Sequence, residues 1–112
     1  MTDTDLIEVT ITAPDRDWLT DLCHQLVDAR FASSAHITRD VKSIYRWQGD
    51  VHETTEARAQ LRSRLELLPT LTAYVRERHP YEVPNVTALP IVGGNPAYLT
   101  WISAETDQST PR

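Results

Sequence analysis

The chain has 112 residues, 40% of them hydrophobic and 24% charged, the balance of one folded domain rather than of a disordered segment. Sixteen acidic side chains against eleven basic ones give a net charge of −5 with no local basic stripe, which argues against nucleic acid as a partner. A single cysteine, Cys23, excludes an internal disulfide and a cysteine-cluster metal site, and no apolar run approaches the length of a membrane span.

The opening Met-Thr-Asp-Thr-Asp is acidic where a signal peptide is basic, so the expected location is cytoplasmic. Residues 1–5 and 105–112 are polar and expected to be disordered, around a single domain at 6–104. From Leu6 to Ala13, Ile7, Val9 and Ile11 alternate with Glu8, Thr10 and Thr12, the pattern of a half-buried strand. Pro14-Asp15 stops it. Asp15 is placed to cap a helix over about 15–29, with Asp17 in the first turn and Arg30 at the end, as the helix dipole favours. Trp18, Leu19, Leu22, Cys23, Leu26 and Val27 make one apolar face of that helix.

Phe31 to Trp47 carries no helical stripe, Gln48-Gly49-Asp50 reads as a turn, and Val51 to Arg64 alternates through Thr55, Ala57, Ala59, Leu61 and Ser63. This predicts a hairpin with arms of about fifteen residues, against the usual five or six. A pairing of Trp47 with Val51 sets Lys42 opposite Glu56 and Asp40 opposite Arg58. At roughly 3.3 Å per residue such a hairpin reaches about 50 Å, in a domain whose radius of gyration should be near 13 Å. The hairpin must then overhang its own helices, and its exposed strand edges predict a closed assembly that covers them.

Leu67, Leu68, Leu71, Tyr74 and Val75 mark a second helix over about 67–78, with Pro69 tolerated in its first turn and Arg76, Arg78 and His79 gathered at its end. Pro80 and Pro84 hold the next residues extended. Val86 to Val92 is the last strand, and Pro90 within it marks an edge position or a bulge. Gly93-Gly94-Asn95-Pro96 turns the chain into a short closing helix with Tyr98, Leu99, Trp101 and Ile102. The order is β-α-β-β-α-β plus a terminal helix, an α+β ferredoxin-like sandwich with a long hairpin between its second and third strands.

Four segments in this order carry a family resemblance: Thr12-Ala13-Pro14-Asp15, Ser43-Ile44-Tyr45-Arg46-Trp47-Gln48-Gly49, His79-Pro80-Tyr81-Glu82-Val83-Pro84 and Tyr98-Leu99-Thr100-Trp101. They resemble the motifs of the CutA divalent-cation tolerance proteins, and the likeness spans about residues 6–104. The resemblance implies a non-enzymatic cytoplasmic homotrimer concerned with the response to metal ions, with no obligatory cofactor and with Cu²⁺ or another divalent cation as a weakly bound ion. The chain departs from the family where cysteines often stand: those positions correspond to Ile11, Ser34 and Tyr74. Thiolate coordination of copper is therefore not expected here.

His79 is the best single candidate for a metal ligand, with Glu53, Glu56 or Glu82 completing a site across a subunit boundary. The competing reading, that His79 ends a helix and interacts with its carbonyls or a neighbouring loop, is favoured. Cys23 lies on the Leu19/Val27 face and reads as a buried small hydrophobe. Tyr45, Tyr81 and Pro80 are candidates for a ligand cleft, and Trp47, Tyr98 and Trp101 for the trimer interface. No catalytic constellation is discernible. The alternative to a tolerance protein is a small-ligand signalling module similar to PII proteins, or a protein-interaction scaffold; no glycine-rich phosphate loop supports nucleotide binding.

Overall fold

The structure is a computed structural model and describes residues 5–109. The expected disorder of 1–4 and 110–112 lies outside the described residues. In chain order the elements are β1 (Leu6–Ala13), α1 (Arg16–Asp28), β2 (Ser34–Trp47), β3 (Asp50–Arg64), α2 (Leu68–Arg78), β4 (Val86–Pro90) and α3 (Pro96–Glu105), with a 3-10 turn at Leu65–Leu67 before α2. The four strands form one antiparallel sheet in the order β2-β3-β1-β4, the ferredoxin-like plan expected from the sequence.

Alternation along β1 decides which side of the sheet is covered. Ile7, Val9 and Ile11, with Ala57, Ala59 and Leu61 beside them on β3, are closed over by Leu19, Leu22, Cys23 and Leu26 of α1 and by Leu71 and Val75 of α2. Burying each of the larger aliphatic side chains contributes about 1.5–3 kcal/mol. Leu6, one step out of phase with Ile7, packs instead with Leu99 and Ile102 of α3 in a second cluster. The closing helix therefore holds the start of β1 from the other side.

Local chemistry fixes the helix ends. The Asp15 carboxylate accepts from the Asp17 and Trp18 amides at 2.8 and 3.5 Å, so α1 begins there. Asn95 caps α3 through the Ala97 amide at 3.1 Å, with Pro96 in the first turn. Arg30, with φ at +65°, turns the chain away after α1. Its guanidinium reaches the far end of the fold, donating to the Glu105 and Ala104 carbonyls at 3.0 and 2.9 Å. Arg64 Nε donates to the Thr106 hydroxyl at 3.0 Å, and Arg64 also meets the Ser103 carbonyl. Two arginines from elsewhere thus satisfy the negative end of α3. Thr106 is fully buried, so the folded part runs past residue 104, where disorder was expected to begin.

The hairpin register differs from the expected one. Trp47 pairs with Asp50, not Val51; Lys42 faces Thr55, not Glu56; and Arg58 faces Thr38, not Asp40. The turn has two residues, Gln48 and Gly49, both with positive φ at 50° and 89°, the geometry that matches the strands' right-handed twist. Farther down, the register shifts between Thr38 and Val41, where Asp40 adopts φ of +62°. That bulge inserts one extra residue into β2. Lys42 finds a diagonal partner instead, Glu53 at 3.3 Å.

β1 pairs with β3 only from Ala57 to Arg64, while β2 continues to pair with β3 as far as Asp50. The outer half of the hairpin is therefore a two-stranded ribbon with both edges free within one protomer. The molecule measures 45 × 27 × 22 Å with a radius of gyration of 14.7 Å. The long axis falls short of the 50 Å of straight strands because twist shortens the rise per residue. β4 ends at Pro90 rather than Val92, although the Ile91 amide still donates to the Leu6 carbonyl at 3.0 Å; β4 is an edge strand, where a proline is tolerated.

Candidate functional site

The ribbon and the segment after α2 face each other across an open groove of about 500 Å³. His79 sets the position of the second wall. Its amide closes α2 by donating to the Val75 carbonyl at 2.8 Å. Its ring Nδ1 accepts from the Tyr81 amide at 3.0 Å, which leaves the proton on Nε2, and Nε2–H donates to the Thr12 carbonyl at 2.8 Å. Trp18 contacts the same ring edge-on at 5.1 Å, and Tyr81 lies 5.0 Å from it.

This arrangement bears on the expectation that His79 is a metal ligand. The ring is 8% exposed and its single lone pair already accepts a backbone hydrogen bond, so nothing remains to coordinate an ion. The favoured alternative, a histidine that terminates a helix and fixes a neighbouring loop, describes what the side chain does.

From that loop Tyr81 reaches back across the groove. Its hydroxyl donates to Glu56 Oε2 at 2.8 Å. Glu56 stands on β3 where the ribbon leaves the rest of the sheet, and it is 6% exposed. Burial pushes the Tyr81 hydroxyl up to about 12, with the hydrogen bond and charge of Glu56 adding to it. No lysine or arginine forms an ion pair with Glu56 among the described residues.

The four expected metal ligands do not converge. Glu56 and Glu82 line the groove, His79 lies behind its wall, and Glu53, an odd number of residues from Glu56, is on the other face of the ribbon in its pair with Lys42. Among the described residues no group of three or more His, Cys, Asp and Glu side chains is placed to hold a metal ion. The described residues of one chain therefore do not gather a donor set of the kind a divalent ion takes.

The expected cleft residues do come together: Tyr45, Tyr81 and Pro80 all line the groove. Tyr45 stacks on His52, its partner across the hairpin, with ring centroids 5.5 Å apart. Trp47 also lines the groove and is 41% exposed. Tyr98 and Trp101 sit elsewhere, on the outer side of α3, with rings 5.5 Å apart and each about two-fifths exposed. Thr12, Ser43, Val83 and Asn85 complete the lining and were not singled out from the sequence. Only the pairing of β1 with β3 and the path of the proline segment place them there. Cys23 is buried as expected, and burial raises its thiol pKa to about 11.

The family described as "CutA1 divalent ion tolerance protein" matches residues 7–105. A divalent-cation tolerance protein CutA of Thermus thermophilus is 38% identical over 98 residues, covering 88% of this chain and 95% of that protein. An Arabidopsis thaliana relative, "Protein CutA, chloroplastic", is 36% identical over 100 residues, or 89% of this chain. The chain spans only 55% of that plant protein's length. The crystal structure of CutA1 from Oryza sativa superposes with a TM-score of 0.89 at 34% identity, covering 96% of this chain and 100% of that one. Among the described residues no helix is long and apolar enough to cross a membrane.

Proposed function

The chain belongs to the CutA1 divalent ion tolerance family, and from that premise we propose that it acts as a non-enzymatic homotrimer in the response to divalent metal ions, located in the cytoplasm. The observation that carries this reading is the two-stranded ribbon at residues 40–56, paired on neither side within one protomer. Ribbons of two strands are marginal alone, and free edges invite association. Ile44 and Val51, near the ribbon's end, are 64% and 63% exposed, and Trp47, Tyr98 and Trp101 add exposed aromatic surface. A closed ring of three protomers, each ribbon continuing a neighbour's sheet, covers these surfaces without building an open filament.

Divalent ions then bind weakly, at exposed carboxylates brought together between protomers. Glu82 is the first of these, since it is exposed on the groove wall. Glu53, held by Lys42 within one protomer, is the second. Neither the Cys23 thiolate nor the His79 imidazole takes part: Cys23 is buried and the His79 ring is engaged at both nitrogens. The names of the relatives support tolerance as the role and give no support to the signalling-module alternative.

Calorimetric titration with Cu²⁺ and Zn²⁺ tests the metal part. Glu82→Gln should weaken Cu²⁺ binding several-fold, roughly the loss of one carboxylate ligand, and Cys23→Ser should leave it unchanged. Binding that survives Glu82→Gln and Glu53→Gln intact, or that vanishes in Cys23→Ser, overturns the proposal.

A further inference from the structure

The groove carries a chemistry beyond the metal role proposed above. Glu56 is 6% exposed, and among the described residues its hydrogen-bond partner is the Tyr81 hydroxyl, at Oε2. A neutral phenol compensates little of the cost of burying a carboxylate without a counter-ion. Arg58, two residues along the same strand face, does not line the groove and forms no ion pair among the described residues. Tyr81 touches the carboxylate, Tyr45 and Trp47 line the same groove farther out along the ribbon, and no lysine or arginine lines the space.

A largely buried carboxylate with no ion-pair partner among the described residues, beside aromatic rings, is complementary to a cation with an apolar shell. We propose that the groove binds small organic ammonium ions, methylated amines in particular, with the positive nitrogen toward Glu56 and the alkyl groups against Tyr45 and Tyr81. The faces of aromatic rings attract cations, tryptophan most strongly, and a tetraalkylated nitrogen gives up its weakly held water at small cost. A hard divalent ion is the poorer fit at this spot. It needs about six oxygen ligands and sheds water reluctantly, and it gains little from the ring faces beside Glu56. The volume of about 500 Å³ accommodates a ligand of this kind. This inference concerns Glu56 and the aromatic walls and does not depend on where metal ions bind.

The test uses the full chain in its native assembly and follows binding by calorimetry. Tetramethylammonium and choline are the charged probes, and 3,3-dimethyl-1-butanol is the neutral isostere of choline. Both cations should bind saturably, and the isostere at least about tenfold more weakly, because only the charge distinguishes it from choline. Glu56→Gln, which retains an acceptor for Tyr81, should weaken the cations at least about tenfold and leave the isostere unaffected. Tyr45→Leu, at an exposed position where folding is not at stake, should weaken them several-fold. Failure of both cations to saturate overturns the proposal, including the case in which Arg58 or a neighbouring protomer's side chain already occupies the groove. Equal binding of the isostere, or an unchanged affinity in Glu56→Gln, overturns it as well. Loss of Cu²⁺ binding in Glu82→Gln with ammonium binding intact leaves the two sites distinct.

Discussion

The Tyr81 hydroxyl donates a hydrogen bond to Glu56 Oε2 at 2.8 Å, joining the loop after α2 to the strand from which the long ribbon departs. The two residues are 25 positions apart in the chain. The same loop is fixed from behind by His79, whose ring bridges the Tyr81 amide and the Thr12 carbonyl. A continuous run of hydrogen bonds thus connects the end of β1, the end of α2 and the middle of β3. It gives the groove a preformed shape.

Removing the phenol should expose the dependence of Glu56 on it. Tyr81→Phe leaves a buried carboxylate without its donor and should cost about 1–3 kcal/mol of stability, read by urea unfolding at fixed protein concentration. Glu56→Leu combined with Tyr81→Phe should cost clearly less than the sum of the single changes, since neither partner is then left unsatisfied. Strict additivity would show that the bond carries no coupling.

His79→Ala should act on the fold rather than on metal affinity. It removes two hydrogen bonds and the ring that Trp18 contacts, so a loss of about 2–4 kcal/mol is expected. Cu²⁺ affinity per folded chain, measured by calorimetry, should change little. A variant of unaltered stability that no longer binds Cu²⁺ would restore His79 as a ligand.

How far the sequence reaches is visible at this one residue. The order of elements, the apolar faces of β1 and α1 and the sheet edge at Pro90 follow from periodicity and from proline chemistry, both local. His79 was legible as a helix terminator for the same reason. Its partner Thr12 lies 67 residues away, however, and no pattern near His79 points to it. The hairpin register was misjudged because a two-residue turn and a three-residue turn both suit Gln-Gly-Asp, and the bulge at Asp40 has no sequence signature. In the sequence Glu56 reads as one of three carboxylates that could complete a metal site, and as a cross-strand partner of Lys42. Its burial comes from the loop that folds over it, which is a tertiary effect.

High pH should weaken the fold through two groups. Cys23 is raised from 9.0 to about 11 and Tyr81 from 10.0 to about 12, both mainly by burial. Each is neutral in the native state, so its contribution is complete below the ordinary pKa and is lost as pH rises through the raised one. Urea midpoints should therefore fall between about pH 9 and pH 12. Tyr81→Phe should flatten the upper part of that decline. A midpoint constant across the window would contradict both shifts. Cys23 should also react slowly with a thiol reagent at pH 8 in the native protein and rapidly after unfolding.

The hairpin turn offers a stabilising substitution. Gln48 holds φ at +50°, a region that asparagine tolerates better than glutamine, and Gly49 already follows it at +89°. Gln48→Asn should raise stability by a few tenths of a kcal/mol, up to about 1 kcal/mol, in thermal or urea unfolding. A clear loss would indicate that the Gln48 side chain makes contacts in the assembly.

The assembly itself is tested most directly by sedimentation equilibrium across micromolar to nanomolar protein. The unpaired ribbon and the exposed Ile44, Val51, Tyr98 and Trp101 predict a mass of three times the 12.7 kDa chain throughout, with no folded monomer at the lowest concentration. A stable, folded 12.7 kDa species at micromolar protein would contradict the trimer, and with it the carboxylate site between protomers.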